Sequence, residues 1–141
     1  APGFDPNGDA GFDRELKMRR RKDSRRLLIC RVSDGRIVGR ISLGIIIRGD
    51  LQQCFLGYWI GRRYTGRGYM TQGLQLAIRH AFGALQLHRV EANIQPTNIA
   101  SRRVAEKAGL RLEGFSPKYL RIRGQWADHE RWAITEEDWS V

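Results

Sequence analysis

The chain has 141 residues, with 25 Lys and Arg against 15 Asp and Glu, and a formal net charge of +10 at pH 7. This length suits one domain with its own core, and no apolar stretch approaches the roughly 20 residues of a membrane-spanning helix. The excess of positive charge favours polyanionic partners, such as a nucleic acid, a ribosome or a phosphate-rich cofactor. For the densest basic run, at residues 19–26, a solvated surface without a specific partner is an equally good interpretation.

The cysteines and histidines do not indicate a metal site. Cys30 and Cys54 are the only cysteines, both lie in strand-like segments, and the three histidines are scattered. We expect no zinc and no disulfide, but two buried free thiols in a cytoplasmic protein.

The first part of the chain predicts a loose segment, a helix and three strands. Residues 1–11 contain three Gly and two Pro, which predicts a flexible N-terminal segment. Residues 12–26 suit a polar helix with a thin apolar stripe. Strands are predicted at 27–32, 37–48 and 53–60, joined by turns at Asp34-Gly35 and Gly49-Asp50 into an antiparallel meander.

The second part alternates helices and strands. Apolar residues at helical spacing predict a helix over 69–85, followed by a strand over 89–95. A short helix over 99–108 has Asn98 as its N-cap and Gly109 just past its end. A last hairpin is predicted over 111–122 and 125–134. This order predicts one α+β domain with a mixed, mostly antiparallel sheet flanked by helices.

The loop between the third strand and the following helix has the features of an anion site. Gly66 and Gly68 permit backbone conformations with positive φ, and the helix N-terminus adds partial positive charge. Arg62, Arg63 and Arg67 add full charges, so the loop suits a pyrophosphate. It lacks the Gly-Lys-Ser/Thr of a Walker A loop and the third glycine of a dinucleotide fingerprint. A tight turn that serves helix–strand packing remains the alternative.

Two motifs resemble the GNAT acetyltransferases. Arg63-x-x-Gly66-x-Gly68 is similar to the R/Q-x-x-G-x-G/A signature of that family. A second block, from Asn98 to Ser101 and on through Glu106-Lys107-Ala108-Gly109-Leu110 to Glu113-Gly114, resembles the RimJ/RimL branch, and most closely its RimJ type. The resemblance covers about residues 28–139. The family's first strand and first helix should precede residue 12, so we expect a GNAT domain over 12–141 that is N-terminally incomplete.

The resemblance implies acetyl-CoA as cosubstrate, with no metal. The loop amides would hold its pyrophosphate, and the preceding strand would splay near Ile60 to pair with the pantetheine arm. Ser101 would protonate or hydrogen-bond the sulfur, and Lys107 would reach phosphate or ribose unless it is a solvated surface lysine. The implied cofactor-binding residues are Ile60, Arg62, Arg63, Tyr64, Thr65, Gly66, Arg67, Gly68, Tyr69, Asn98, Ser101 and Lys107.

The general base is not inherited from the family. The positions where relatives carry a catalytic carboxylate hold Asn93, Phe55 and Leu120 here. Glu91 lies on the same strand face as Asn93 and is our candidate, acting through water. An ion pair with a surface arginine is at least as good an interpretation. The catalytic candidates are therefore Ser101, Glu91 and Asn93, and Tyr119 should border the acceptor channel.

The lack of an evident strong base favours an α-amine acceptor. Roughly a tenth of α-amines are neutral at pH 7, against about one lysine side chain in 2,500. The resemblance implies a protein N-terminus as substrate, in particular an Ala-initiated ribosomal protein, with ribosome or RNA contact through the basic surface. Two alternatives remain: an acetyltransferase of a small amine, and a non-catalytic module that binds CoA or RNA. The oligomeric state, monomer or homodimer, stays open.

Overall fold

The computed structural model describes residues 24–139, which form one mixed sheet with two helices. The predicted segment 1–11 and most of the predicted helix 12–26 lie outside this range. The strands are β1 (Arg25–Cys30), β2 (Ile37–Ile47), β3 (Gln53–Ile60), β4 (Arg89–Ile94), β5 (Arg111–Ile122) and β6 (Gln125–Thr135). The helices are α1 (Tyr69–Phe82) and α2 (Ile99–Lys107), with 3-10 turns at Arg62–Tyr64 and Glu136–Asp138.

The predicted fold class is confirmed, and the elements differ from prediction mainly at two ends. Arg25 and Arg26, predicted as the end of a helix, begin β1 because they pair with Leu43 and Ser42 of β2. Helix α1 ends at Phe82 rather than at residue 85. The next residue, Gly83, leaves helical geometry, and its N–H donates to the carbonyl of Arg79.

The strand order in the sheet is β1-β2-β3-β4-β6-β5, and only β3 and β4 pair in parallel. Their register covers just three pairs and ends at Phe55 opposite Glu91. Beyond it, β3 continues to pair with β2 as far as Ile60, and β4 with β6 as far as Ile94. The two strands therefore diverge over residues 56–60 and 92–94 and open a wedge in the middle of the sheet, as the resemblance implied.

The hydrophobic core lies between one face of the sheet and the two helices. Alternate residues of β4 and β6 point into it, including Val90, Ala92 and Ile134, and α1 contributes Leu74 and Ile78. The opposite sheet face carries the intervening residues. Within residues 24–139, no helix has the length and hydropathy needed to cross a membrane.

The two cysteines occupy different environments, so the prediction of two buried thiols was wrong for one of them. Cys54 is fully enclosed in the core, and burial raises the pKa of its thiol to about 12. Cys30 is exposed because it ends the sheet-edge strand β1, where the register with β2 shifts. Both are free thiols.

Candidate active site

A cavity of about 910 Å³ fills the wedge between β3 and β4 and passes through the sheet. It extends from Met70 in the first turn of α1 to Ser101 in the first turn of α2. On the helix side it is lined by Leu56, Tyr58, Ile60, Met70, Ala92, Ile94, Asn98, Ala100, Ser101 and Val104. On the other face its walls include Ser42, Gly44, Phe55, Gly57, Trp59, Asn93, Tyr119 and His129. A ligand on the helix side and a second ligand on the opposite face of the sheet could therefore come into contact inside this cavity.

The loop before α1 has the backbone geometry of a candidate anion site. Gly66 and Gly68 have φ values of 76° and 80°, which favour glycine. A Cβ atom placed at either would meet nothing within 4 Å, so the space above both glycines is open. The N–H groups of Gly66, Arg67 and Gly68 make no backbone hydrogen bond within residues 24–139. The first N–H groups of a helix have no intrahelical partner, so those of the first α1 turn add further donors beside this open space.

Aromatic contacts hold this loop in place. The Tyr64 ring packs edge-on against Tyr69, with centroids 6.4 Å apart. The Arg31 guanidinium lies 5.3 Å from the centre of the Tyr64 ring and is itself paired with Asp34. The hydroxyl of Thr65 donates to the Arg62 carbonyl at 3.0 Å and closes the loop from within.

The structure places most of the predicted cofactor residues along one path. Ile60 lines the cavity, and the loop that carries Arg62, Arg63 and Arg67 follows it directly with all three arginines exposed. Of the predicted cofactor residues, Ile60, Asn98 and Ser101 line the cavity. The loop residues 62–69 do not line it, but in the chain they lie between Ile60 and Met70, which both do. Lys107 is exposed at the far end of α2, away from the loop and from the lining.

The first turn of α2 is fixed by two hydrogen bonds. The side-chain oxygen of Asn98 accepts from the Ser101 N–H at 3.2 Å, which confirms Asn98 as the N-cap. Its amide NH₂ makes no hydrogen bond within the described residues and remains a donor for a ligand. The Tyr58 hydroxyl donates to the Ser101 carbonyl at 2.8 Å, and burial raises the pKa of Tyr58 to about 12, so this phenol stays neutral.

Glu91 lies in a charged network instead of facing the cavity. Its two carboxylate oxygens accept from Arg89 at 2.9 Å and from the Asn93 amide at 3.4 Å. Arg89 also binds Glu113, which lowers the pKa of that carboxyl below its ordinary value. Glu91 is buried and does not line the cavity, whereas Asn93 and Ser101 do. The arrangement is the ion pair that the sequence left open as the alternative for Glu91.

Sequence reasoning missed His129. This side chain is only 3% exposed and lines the cavity on the face that carries Asn93. The period-2 alternation of β6 indicates its face, but the register Asn93↔Arg131 is needed to bring it beside β4. Unless it is known which strands pair, the sequence does not indicate that a histidine in a strand lines a cavity.

A bulge in β5 carries Tyr119 to the same end of the cavity. The β5–β6 register shifts between Ser116 and Leu120, and Lys118 within this stretch has a φ of 49°. The Asp128 carboxylate accepts from the Lys118 N–H at 2.9 Å and holds the bulge. Tyr119 then packs edge-on against His129, with ring centroids 6.3 Å apart. This confirms that Tyr119 borders the cavity, and bulges of this kind re-aim side chains next to functional sites.

Comparisons with known proteins agree with this geometry. A family model described as "Acetyltransferase (GNAT) domain" matches residues 5–111. The chain is 45% identical over 106 residues to the probable N-acetyltransferase YjcK of Bacillus subtilis (strain 168), covering 75% of this chain and 59% of that protein. It is 38% identical over 104 residues to the [ribosomal protein uS5]-alanine N-acetyltransferase of Escherichia coli (strain K12), covering 74% of this chain and 54% of that protein.

Among solved structures, Mycobacterium smegmatis RimJ in complex with CoA-disulfide superposes with a TM-score of 0.87 at 33% identity. That match covers 100% of this chain and 71% of the RimJ chain. The chain therefore belongs to the GNAT acetyltransferase family, in a RimJ-like branch. It spans between half and three-fifths of the length of the two curated relatives described above. Within residues 24–139, no cluster of His, Cys, Asp and Glu has the arrangement of a metal site.

Proposed function

We propose that this chain transfers the acetyl group of acetyl-CoA to the α-amine of a protein N-terminus, with an Ala-initiated ribosomal protein as the substrate. The observation that carries the proposal is the cavity through the β3–β4 wedge. It joins the first turns of both helices to the opposite face of the sheet. A cosubstrate held on the helix side and an acceptor entering from the other face would meet beside Ser101.

The residues present fit acetyl-CoA. The open amide cluster at Gly66–Gly68 suits the diphosphate, and the exposed Arg62, Arg63 and Arg67 add charge around it. The edge of β3 beyond Phe55 has no β4 partner, so its backbone groups are free to pair with an extended pantetheine arm. When bound, the thioester supplies the activated acetyl group.

Ser101 is placed to act at the sulfur end of this path. It lines the cavity in the first turn of α2, where Asn98 and Tyr58 fix the backbone on both sides of its side chain. A hydroxyl held in this way can donate to the sulfur as the carbon–sulfur bond breaks. Positioned donors of this kind accelerate group transfer, because they are already oriented and stabilise the charge that develops in the transition state.

The charge of the cavity favours an N-terminal α-amine over a polyamine. Within the described residues, the cavity lining contains no Asp or Glu, and it contains Arg26 and Arg123. A polycation would be repelled there, whereas an α-amine needs only modest help to lose its proton. The similarity to the uS5-alanine enzyme supports alanine as the first residue. The net charge of +10 supports contact with ribosomal RNA in the cytoplasm.

A panel of acceptors tests the proposal. Purified chain and acetyl-CoA are incubated with an Ala-initiated peptide, with the same peptide carrying a blocked N-terminus and an internal lysine, and with spermidine. Mass spectrometry then locates the acetyl group. We expect acetylation of the free α-amine at a rate at least about 100-fold above that of the internal lysine. Acetylation of spermidine alone would point to a small-amine enzyme, and CoA binding without transfer to any amine would point to a non-catalytic module.

A further inference from the structure

We infer that His129 is the general base of acetyl transfer, accepting a proton from the acceptor ammonium at its Nε2 atom. The inference rests on the proposed function and deepens it, because the acceptor end of the cavity lacks an inherited carboxylate base. One titratable side chain of the cavity wall supports it. Among the lining residues in 24–139, His129 is the one whose side-chain type ordinarily changes protonation near neutral pH.

The hydrogen bonding of His129 defines which nitrogen is available. Nδ1 lies 2.9 Å from the Ala127 carbonyl oxygen, and a carbonyl oxygen only accepts, so Nδ1 carries the hydrogen. In the neutral ring, Nε2 then keeps its lone pair. Nε2 makes no hydrogen bond within residues 24–139 and is not sealed off as a buried unpaired atom. A buried ring on a cavity wall, with one nitrogen fixed and the other without a hydrogen bond in the described residues, has the arrangement of an oriented base.

The groups around the His129 ring come from several elements of the fold. Tyr119 from β5 packs against it edge-on, and Asn93 from β4 lines the same cavity face. Arg26 from β1 and Arg123 from the β5–β6 turn contribute positive charge to the lining. On β6 itself, the Asp128 carboxylate accepts a hydrogen bond from the Lys118 N–H.

The remaining charges of β6 belong to other contacts. Arg131 follows on the His129 face and packs over Gly114, while Glu130 points to the other face and binds Arg102. The described cavity lining contains no Asp or Glu, so no carboxylate there competes with His129 for the proton.

The acceptor nitrogen loses two protons during the proposed acetyl transfer. The acceptor ammonium gives one proton to Nε2, and the neutral nitrogen attacks the thioester carbonyl carbon. As the new carbon–nitrogen bond forms and the carbon–sulfur bond breaks, a second nitrogen-bound proton reaches the sulfur through the Ser101 hydroxyl. The products are the acetylated N-terminus and the CoA thiol, and Nε2 returns its proton to water.

The test compares His129→Gln with His88→Gln in the full chain. Glutamine keeps a donor for the Ala127 carbonyl but cannot serve as a base. His88 is exposed and paired with Glu137 outside the cavity, so it is the matched control. Rates on the Ala-initiated peptide are measured from pH 6.5 to 9.5, with CoA affinity by titration calorimetry and circular dichroism as checks on folding.

We expect His129→Gln to be slower than the parent by about 100-fold at pH 7, the lower end of general-base contributions. The deficit should shrink to less than about 10-fold at pH 9.5, where the amine is already neutral. CoA affinity and the rates of His88→Gln should match the parent. Imidazole added to His129→Gly should restore part of the lost rate.

Three results would overturn the inference. One is a His129→Gln rate within about threefold of the parent at pH 7. Another is a deficit that stays constant with pH and is not rescued by imidazole, which would indicate a structural role; both leave the acetyltransferase proposal standing. The third is a parent chain that binds CoA but acetylates no amine, which would remove the proposed function and the role of His129 together.

Discussion

The Tyr58 hydroxyl donates a 2.8 Å hydrogen bond to the backbone carbonyl of Ser101. This bond joins the diverging part of β3, which carries Tyr58, to the first turn of α2, which carries Ser101. The strand that borders the cosubstrate path thus also sets the position of the serine proposed to meet the sulfur. The pair is separated by 43 residues in the chain and is brought together only by the fold.

Removal of this hydroxyl tests whether the position of Ser101 matters for transfer. Tyr58→Phe should lower kcat about 10-fold while CoA affinity changes less than about threefold, since a small displacement of a reacting group is costly and the diphosphate loop is untouched. The free energy of unfolding should fall by about 1 kcal/mol for the lost hydrogen bond. Thr135→Val is the control, because it removes a hydroxyl at the end of β6 that does not line the cavity. Equal kcat values for the two variants would contradict a positioning role for Tyr58.

The glycine loop gives a second prediction. Gly68→Ala forces a side chain into the left-handed region at about 1–2 kcal/mol and places a methyl group in the open space above the loop. We expect CoA affinity to drop at least about 10-fold. Gly49→Ala is the matched control, since Gly49 has a φ of 74°, equally open surroundings and a place in the β2–β3 turn. Equal CoA affinities for the two variants would show that the loop does not hold the ligand.

A substitution of Glu91 gives a third prediction. Because Arg89 and Asn93 occupy both of its oxygens, Glu91→Gln should retain activity within about fivefold of the parent. Stability should fall by roughly 1–3 kcal/mol, since the substitution weakens a buried charge-assisted pair. Peptide acetylation and urea unfolding measure the two effects. A loss of activity of 100-fold or more, with a pH dependence that disappears, would instead make Glu91 the base.

The buried thiol of Cys54 gives a prediction for stability at alkaline pH. Burial raises the pKa of the folded thiol to about 12 from 9.0, so the unfolded chain loses its proton first as the pH rises. The contribution of this thiol to stability is therefore fully present below pH 9 and falls towards pH 12, by at most roughly 1.4 kcal/mol per pH unit. Cys54→Val should give a flatter decline in urea unfolding between pH 8 and 10. A decline as steep as that of the parent would show that the thiol is not responsible.

The sequence predicted those features that depend on local spacing or on a motif. The strand Gln53–Ile60, the start of α1 at Tyr69 and the cap at Asn98 all follow from periodicity, glycines and side-chain chemistry near in the chain. The wedge between β3 and β4 followed from the resemblance of the Gly66–Gly68 motif.

Features that depend on strand register were less accessible. The sequence makes Glu91 a candidate base, but it does not show that the fold places this carboxylate between Arg89 and Asn93. His129 acquires its place only through the pairing of β6 with β4, together with the β5 bulge that carries Tyr119. The exposure of Cys30 likewise depends on β1 being an edge strand.

The proposed acetyl-CoA site depends on backbone amides at Gly66–Gly68 that hold a diphosphate, and titration calorimetry with two ligands tests this role directly. We predict that CoA binds with one site per chain and that pantetheine, which lacks the diphosphate, binds at least about 10-fold more weakly. Failure of CoA to bind, or equal affinity for the two ligands, would contradict the account.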